Sequence, residues 1–99
     1  MNKPLFDLGR TLATPGALAA LERAGVSPAT LLSRHACGDW GDMTEADKRL
    51  NDEALQDGSR IFSAYILPTG TKVKVWVISE AADGQGRRAA TTLLLPSEY

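Results

Sequence analysis

Between His35 and Asp42 the chain gathers its one histidine, its one cysteine, a tryptophan and two aspartates into His35-Ala36-Cys37-Gly38-Asp39-Trp40-Gly41-Asp42. Imidazole, thiol and carboxylate groups ligate metals and move protons, so three kinds of chemistry come into question. Structural zinc takes paired cysteines or histidines from two separate knuckles, and a single residue of each type does not supply them. Asp39 and Asp42 lack the alternating acids and closing glutamate of a calcium loop. Residues two apart on a helix do not face each other, which argues against a thiolate–imidazole pair of Cys37 and His35. No metal or cofactor is expected, and no catalytic residue is assigned.

The same stretch can also be read as a joint. Its glycines allow a tight fold-back, and Trp40 can plug the gap between helices and sheet with its indole N–H bonded to backbone. His35 near a helix end is favourable against the dipole. Asn51, at the edge of a buried helix face, can bond to the loop. His35, Asp39, Asp42 and Asn51 then form one polar cluster, either a buried brace or the floor of a small site. His35, Asp39, Trp40, Asp42 and Asn51 are therefore the candidate binding residues.

Three short helices must position that cluster. Thr14-Pro15 and Ser27-Pro28 each combine a capping hydroxyl with proline at the first helical position. The first helix turns Ala17, Leu18, Leu21 and Ala24 inward and stops at Gly25. The second turns Leu31, Leu32 and Ala36 inward and stops at Gly38. A third is capped by Thr44 or Asp42, buries Ala46, Leu50, Ala54 and Leu55, and ends at Gly58.

From Arg60 the period changes to two. Phe62, Ala64 and Ile66 share one face of a strand, with Ile61, Ser63, Tyr65 and Leu67 on the other. The run from Lys72 to Ser79 is its antiparallel partner, and Thr91 to Leu95 closes the sheet. Residues 8–13 read as a short strand or an extended lead-in. The expected fold is α+β over a single domain, residues 1–99, with three short N-terminal helices packed on a C-terminal three-stranded antiparallel β-meander.

Ninety-nine residues with 43% hydrophobic and 23% charged side chains are the mixture of an ordinary folded domain. A net charge of −1 lacks the basic field of a nucleic-acid module, so nucleic acid is disfavoured. Charge is uneven, however: residues 39–57 hold seven acids and two bases, an acidic island able to face a basic partner. Tyr65, Lys74 and Trp76 on neighbouring strands raise the weaker prospect of base stacking. One cysteine forms no internal disulfide, and no stretch is apolar enough for export or for crossing a bilayer, so a cytoplasmic location without membrane contact is expected.

Ala13-Thr14-Pro15-Gly16-Ala17-Leu18, Arg34-His35, Gly38-Asp39-Trp40-Gly41-Asp42, Asn51-Asp52, Trp76-Val77-Ile78 and Leu94-Leu95-Pro96-Ser97-Glu98-Tyr99 follow one another in that order. In this the chain resembles a family of small bacterial proteins of about a hundred residues, described as plasmid-related and carried on mobile elements. The family pattern differs at residues 82–90, where the loop here is longer. The resemblance implies a genetic setting and no catalytic role.

The leading expectation is a small cytoplasmic interaction protein of mobile-element origin that binds a protein partner through the acidic middle or a sheet edge. Inhibitors of host defence are one subclass. The alternative is a small enzyme or toxin-like nuclease using His35, Asp39, Asp42 and Asn51 for acid–base work.

Overall fold

A computed structural model describes residues 3–70 and 72–99. Helix α1 spans Pro15–Ala24, α2 Pro28–Ala36 and α3 Glu45–Asp57. Each starts on a hydroxyl cap: Thr14 accepts from the Ala17 N–H, Ser27 from Ala29 and Thr44 from Asp47, at 3.1–3.2 Å. Of the two caps open for α3, Thr44 is the one used. Gly25 and Gly58 end α1 and α3 in the left-handed conformation, where glycine meets no steric cost.

The buried stripes are rotated from the expected ones. In α1, Ala17, Ala20 and Leu21 face inward while Leu18 is 47% exposed. In α3, Asn51 and Ala54 are buried, whereas Ala46 is exposed and Leu50 is 61% exposed. This helix lies beside a sheet edge, so a narrow face covers it and the rest stays in water.

The sheet has four strands and is mixed, which corrects the expected three-stranded antiparallel meander. Strands β2 (Ile61–Ile66), β3 (Lys74–Ser79) and β4 (Ala90–Leu94) do form the meander. Strand β1 (Arg10–Ala13) adds to β4 in parallel, giving the order β1-β4-β3-β2. The Arg10 N–H donates to the Ala89 carbonyl and the Thr14 N–H to Leu93, both at 3.0 Å. Gly9 permits the approach: at φ +64° it lies so near the chain that a Cβ would sit 2.1 Å from the Arg88 carbonyl oxygen.

One sheet face carries Ile61, Ser63, Tyr65, Val75, Val77, Ser79, Thr91 and Leu93, all buried under the helices. Between its two apolar clusters lies a polar row. Leu21, Leu31, Tyr65, Val75, Val77 and Leu93 pack on one side of it, and Trp40, Ala54 and Ile61 on the other. The opposite face, with Phe62, Ala64, Trp76, Ile78, Thr92, Leu94 and Leu12, turns away from the main helical layer; Ala64, Ile78 and Leu94 are buried there, and α3 meets its β2 end where Leu50 lies near Phe62. The closing 3-10 turn, Pro96–Glu98, lies against β3 and carries Tyr99 onto Trp76.

Candidate functional site

The turn after α2 is built for proximity. Gly41 has φ +80°, and a Cβ there would lie 2.1 Å from the Ala64 carbonyl oxygen, so only glycine lets the loop run along β2. The Ala64 N–H donates to the Trp40 carbonyl at 3.2 Å and the Asp42 N–H to the Ala64 carbonyl at 2.6 Å. Two residues earlier on the strand, the Asn51 side chain does the same work. Its amide donates to the Phe62 carbonyl at 2.7 Å, and its oxygen accepts the Phe62 N–H at 3.0 Å. Asn51 thus mimics a strand and seals the β2 edge, rather than reaching the loop.

Asp39 and Asp42 point to different partners. Asp39 takes Arg34 at 2.6 Å and the Gly41 N–H at 3.3 Å; Asp42 takes Lys74 on β3 at 3.5 Å. The hydrogen bond from Arg34 holds the Asp39 carboxyl below the ordinary range, with its charge as a further cause. Arg34 also lies over the Tyr65 ring, whose hydroxyl donates to the Asp39 carbonyl at 2.6 Å. Burial raises that phenol to about 12. Trp40 does plug the gap, 4% exposed, but its indole N–H donates to the Asp52 carboxylate at 3.1 Å and not to backbone.

His35 is fully buried, between Phe6 and Trp40 edges. Its Nδ1 lies 2.5 Å from Ser63 Oγ and its Nε2 2.9 Å from Ser79 Oγ; Ser79 reaches Thr91 at 2.6 Å, and the Thr91 hydroxyl donates to the Leu8 carbonyl at 2.8 Å. Each hydroxyl has one hydrogen, which sets the direction of the whole chain. Thr91 gives its hydrogen to Leu8, so it accepts from Ser79; Ser79 in turn accepts from His35 Nε2–H, and Ser63 donates to Nδ1. His35 is the neutral Nε2–H tautomer, with every ring nitrogen satisfied. Burial first, and the Arg88 charge second, push its pKa down to about 3. At neutral pH this imidazole carries no charge to set against a helix dipole, and it links α2 to β2, β3 and β4.

Arg88 is a residue that sequence reading passed over. It is 6% exposed, and its guanidinium donates to the Ser59, Glu80 and Ala54 carbonyls at 2.6, 2.9 and 3.1 Å while lying over the Phe6 ring. Ala54 is in the last turn of α3, which has no basic residue of its own. That deficit was the available signal, since the negative end of a helix favours a cation.

The five candidate residues thus surround one joint, but their polar atoms diverge into separate pairs. The uncovered sheet face is different. Phe62, Trp76 and Tyr99 stack edge to face along it at centroid distances of 4.8 and 5.7 Å, and Arg60 donates to the Tyr99 hydroxyl at 3.2 Å. Two shallow apolar grooves flank this ladder, sharing Arg60: one beneath α3 with Met43, Leu50 and Phe62, the other with Ile78, Leu94 and Tyr99. Tyr65 lies on the covered face, so it does not join Lys74 and Trp76 in a stacking platform. Among the described residues no helix is long and apolar enough to cross a membrane, and no cluster of three or more metal-ligating side chains occurs. No protein-family model matches the chain, and neither a curated protein nor a solved structure matches it.

Proposed function

We propose that this chain is a small accessory domain that binds a protein partner on the uncovered face of its sheet. The observation that carries this reading is that face itself: an aromatic ladder and two apolar grooves, bordered by exposed Leu12 and Ile66 at 41% and 46%. Contiguous apolar surface rimmed by polar residues is where proteins associate. The ladder residues pack on one another edge to face, so they offer few free ring faces for bases, and the chain has no basic excess. A mobile-element setting, with a host-defence protein as one class of partner, follows from the resemblance and belongs to the same proposal, as does action in the cytoplasm.

An acid–base enzyme or nuclease has less support. His35 is sealed between two hydroxyls with no exposure, and Asp39 and Asp42 face separate cations. The test is affinity capture from the native host with wild type, Leu12→Glu, Ile66→Glu and Asp42→Ala. Loss of one specific partner from the two sheet-face variants, with retention by Asp42→Ala, is expected. Retention by both sheet-face variants together with loss from Asp42→Ala would move the binding site to the glycine loop.

A further inference from the structure

The groove beneath α3 is an apolar recess of about 360 Å³ lined by Met43, Leu50, Phe62 and Asn51, with Asp47 and Arg60 at its rim. Leu50, on its wall, is also one of the most exposed large apolar side chains of the domain at 61%. A knob and a hollow therefore belong to the same patch. The two rim charges have opposite signs. Among the described residues the ion pairs are Arg34–Asp39, Lys48–Glu45 and Lys74–Asp42, and they include neither Asp47 nor Arg60, whose guanidinium meets only the neutral Tyr99 side chain within the chain. Asn51, the one polar group in the floor, already spends its amide on Phe62, so covering the groove strands no hydrogen-bonding group there.

Two-fold association demands that one patch complement itself, with each residue facing a different residue of the same patch on the other subunit. Apolar knob beside apolar hollow, and acid beside base, meet that demand in shape and in charge. From this we propose that the partner seated on the α3–β2 end of the uncovered face is a second copy of the chain, Leu50 of each copy entering the other's groove and Asp47 facing Arg60 across the two-fold axis. The proposal rests on the docking reading above and names the occupant of part of that face.

Sedimentation equilibrium from about 1 μM to about 1 mM, a range spanning weak to firm association, tests it, with circular dichroism confirming that each variant is folded. Wild type should dimerise, and Leu50→Glu should weaken the dimer roughly tenfold or more, as removal of a central apolar anchor does. Asp47→Arg and Arg60→Asp should each weaken it by like-charge contact, while both changes in one chain should restore it. A wild-type protein that stays monomeric throughout overturns the proposal, as does a dimer insensitive to Leu50→Glu or a double reversal that fails to restore. A monomer that still captures a partner through Leu12 and Ile66 ends the dimer alone; a monomer whose capture ignores those residues ends the docking reading as well.

Discussion

Acidification from pH 7 to pH 5 should destabilise this domain through a single side chain. The unfolded chain protonates His35 near 6.5, whereas the folded chain holds it neutral down to about 3. Between those values the unfolded state binds the extra proton, so stability is full above 6.5 and falls as the pH drops towards 3. The slope is about 1.4 kcal/mol per pH unit, which amounts to roughly 2 kcal/mol at pH 5. That is a large part of the ~5–15 kcal/mol available to a domain of this size. The carboxyls of Asp39, Asp57, Asp83 and Glu98 are held below their ordinary values, and the sequence has no second histidine, so the main slope between 6.5 and 5 belongs to His35. Urea unfolding followed by tryptophan fluorescence at intervals across that range measures it. His35→Gln, which cannot titrate, should be less stable at pH 7 and flat from 6.5 to 5. A wild-type stability independent of pH over this window, a His35→Gln variant with the same slope, or a folded-state imidazole titrating near 6.5 by NMR would refute the buried relay.

Other consequences are as direct. Asn51→Ala leaves the Phe62 N–H and carbonyl without their side-chain partner and should cost about 2 kcal/mol or more, with faster amide exchange at Phe62 as the local signature. Arg88→Met keeps the length of the side chain but abandons three carbonyls, one of them in the last turn of α3; a loss of roughly 3 kcal/mol should appear in chemical denaturation. Glu98 accepts from the Thr14 hydroxyl and from the Gly16 and Leu95 N–H groups, which holds its carboxyl below the usual range. Glu98→Gln should therefore release residues 95–99 from α1, seen as increased exchange there and a changed Trp76 emission, and in wild type the same release should follow as the pH falls through the depressed carboxyl value.

Local signals in the chain were strong where a residue acts on its own neighbours. Thr14-Pro15, Ser27-Pro28, Thr44, Gly25 and Gly58 start and stop helices through bonds made within a few residues, so their roles can be read without a fold. The change to a two-residue period at Arg60 marked β2, β3 and β4 for the same reason. β1 was ambiguous because four residues with no buried alternation carry little information; its pairing depends on Gly9 approaching the main chain of Arg88 and Ala89, far along the sequence. Leu50 was expected inside because the helical period is satisfied equally well by a stripe rotated one position, and only the place of α3 against the β2 edge chooses Asn51 instead.

The candidate residues divide along the same line. That His35, Asp39, Trp40 and Asp42 lie around one turn follows from short-range spacing and glycine placement, whereas Asn51, further along in α3, is set against Phe62 by the fold. Where their polar atoms go does not: Ser63, Ser79 and Thr91 meet His35 from three strands, Lys74 meets Asp42 across the sheet, and Arg88 reaches α3 from a hairpin loop. The amino-acid sequence determines which groups need partners, because desolvation makes an unpaired buried polar group costly wherever it lies. Only the tertiary structure decides which partners they find and which face of the sheet the helices cover, since both depend on strand order and on contacts between segments that periodicity cannot register.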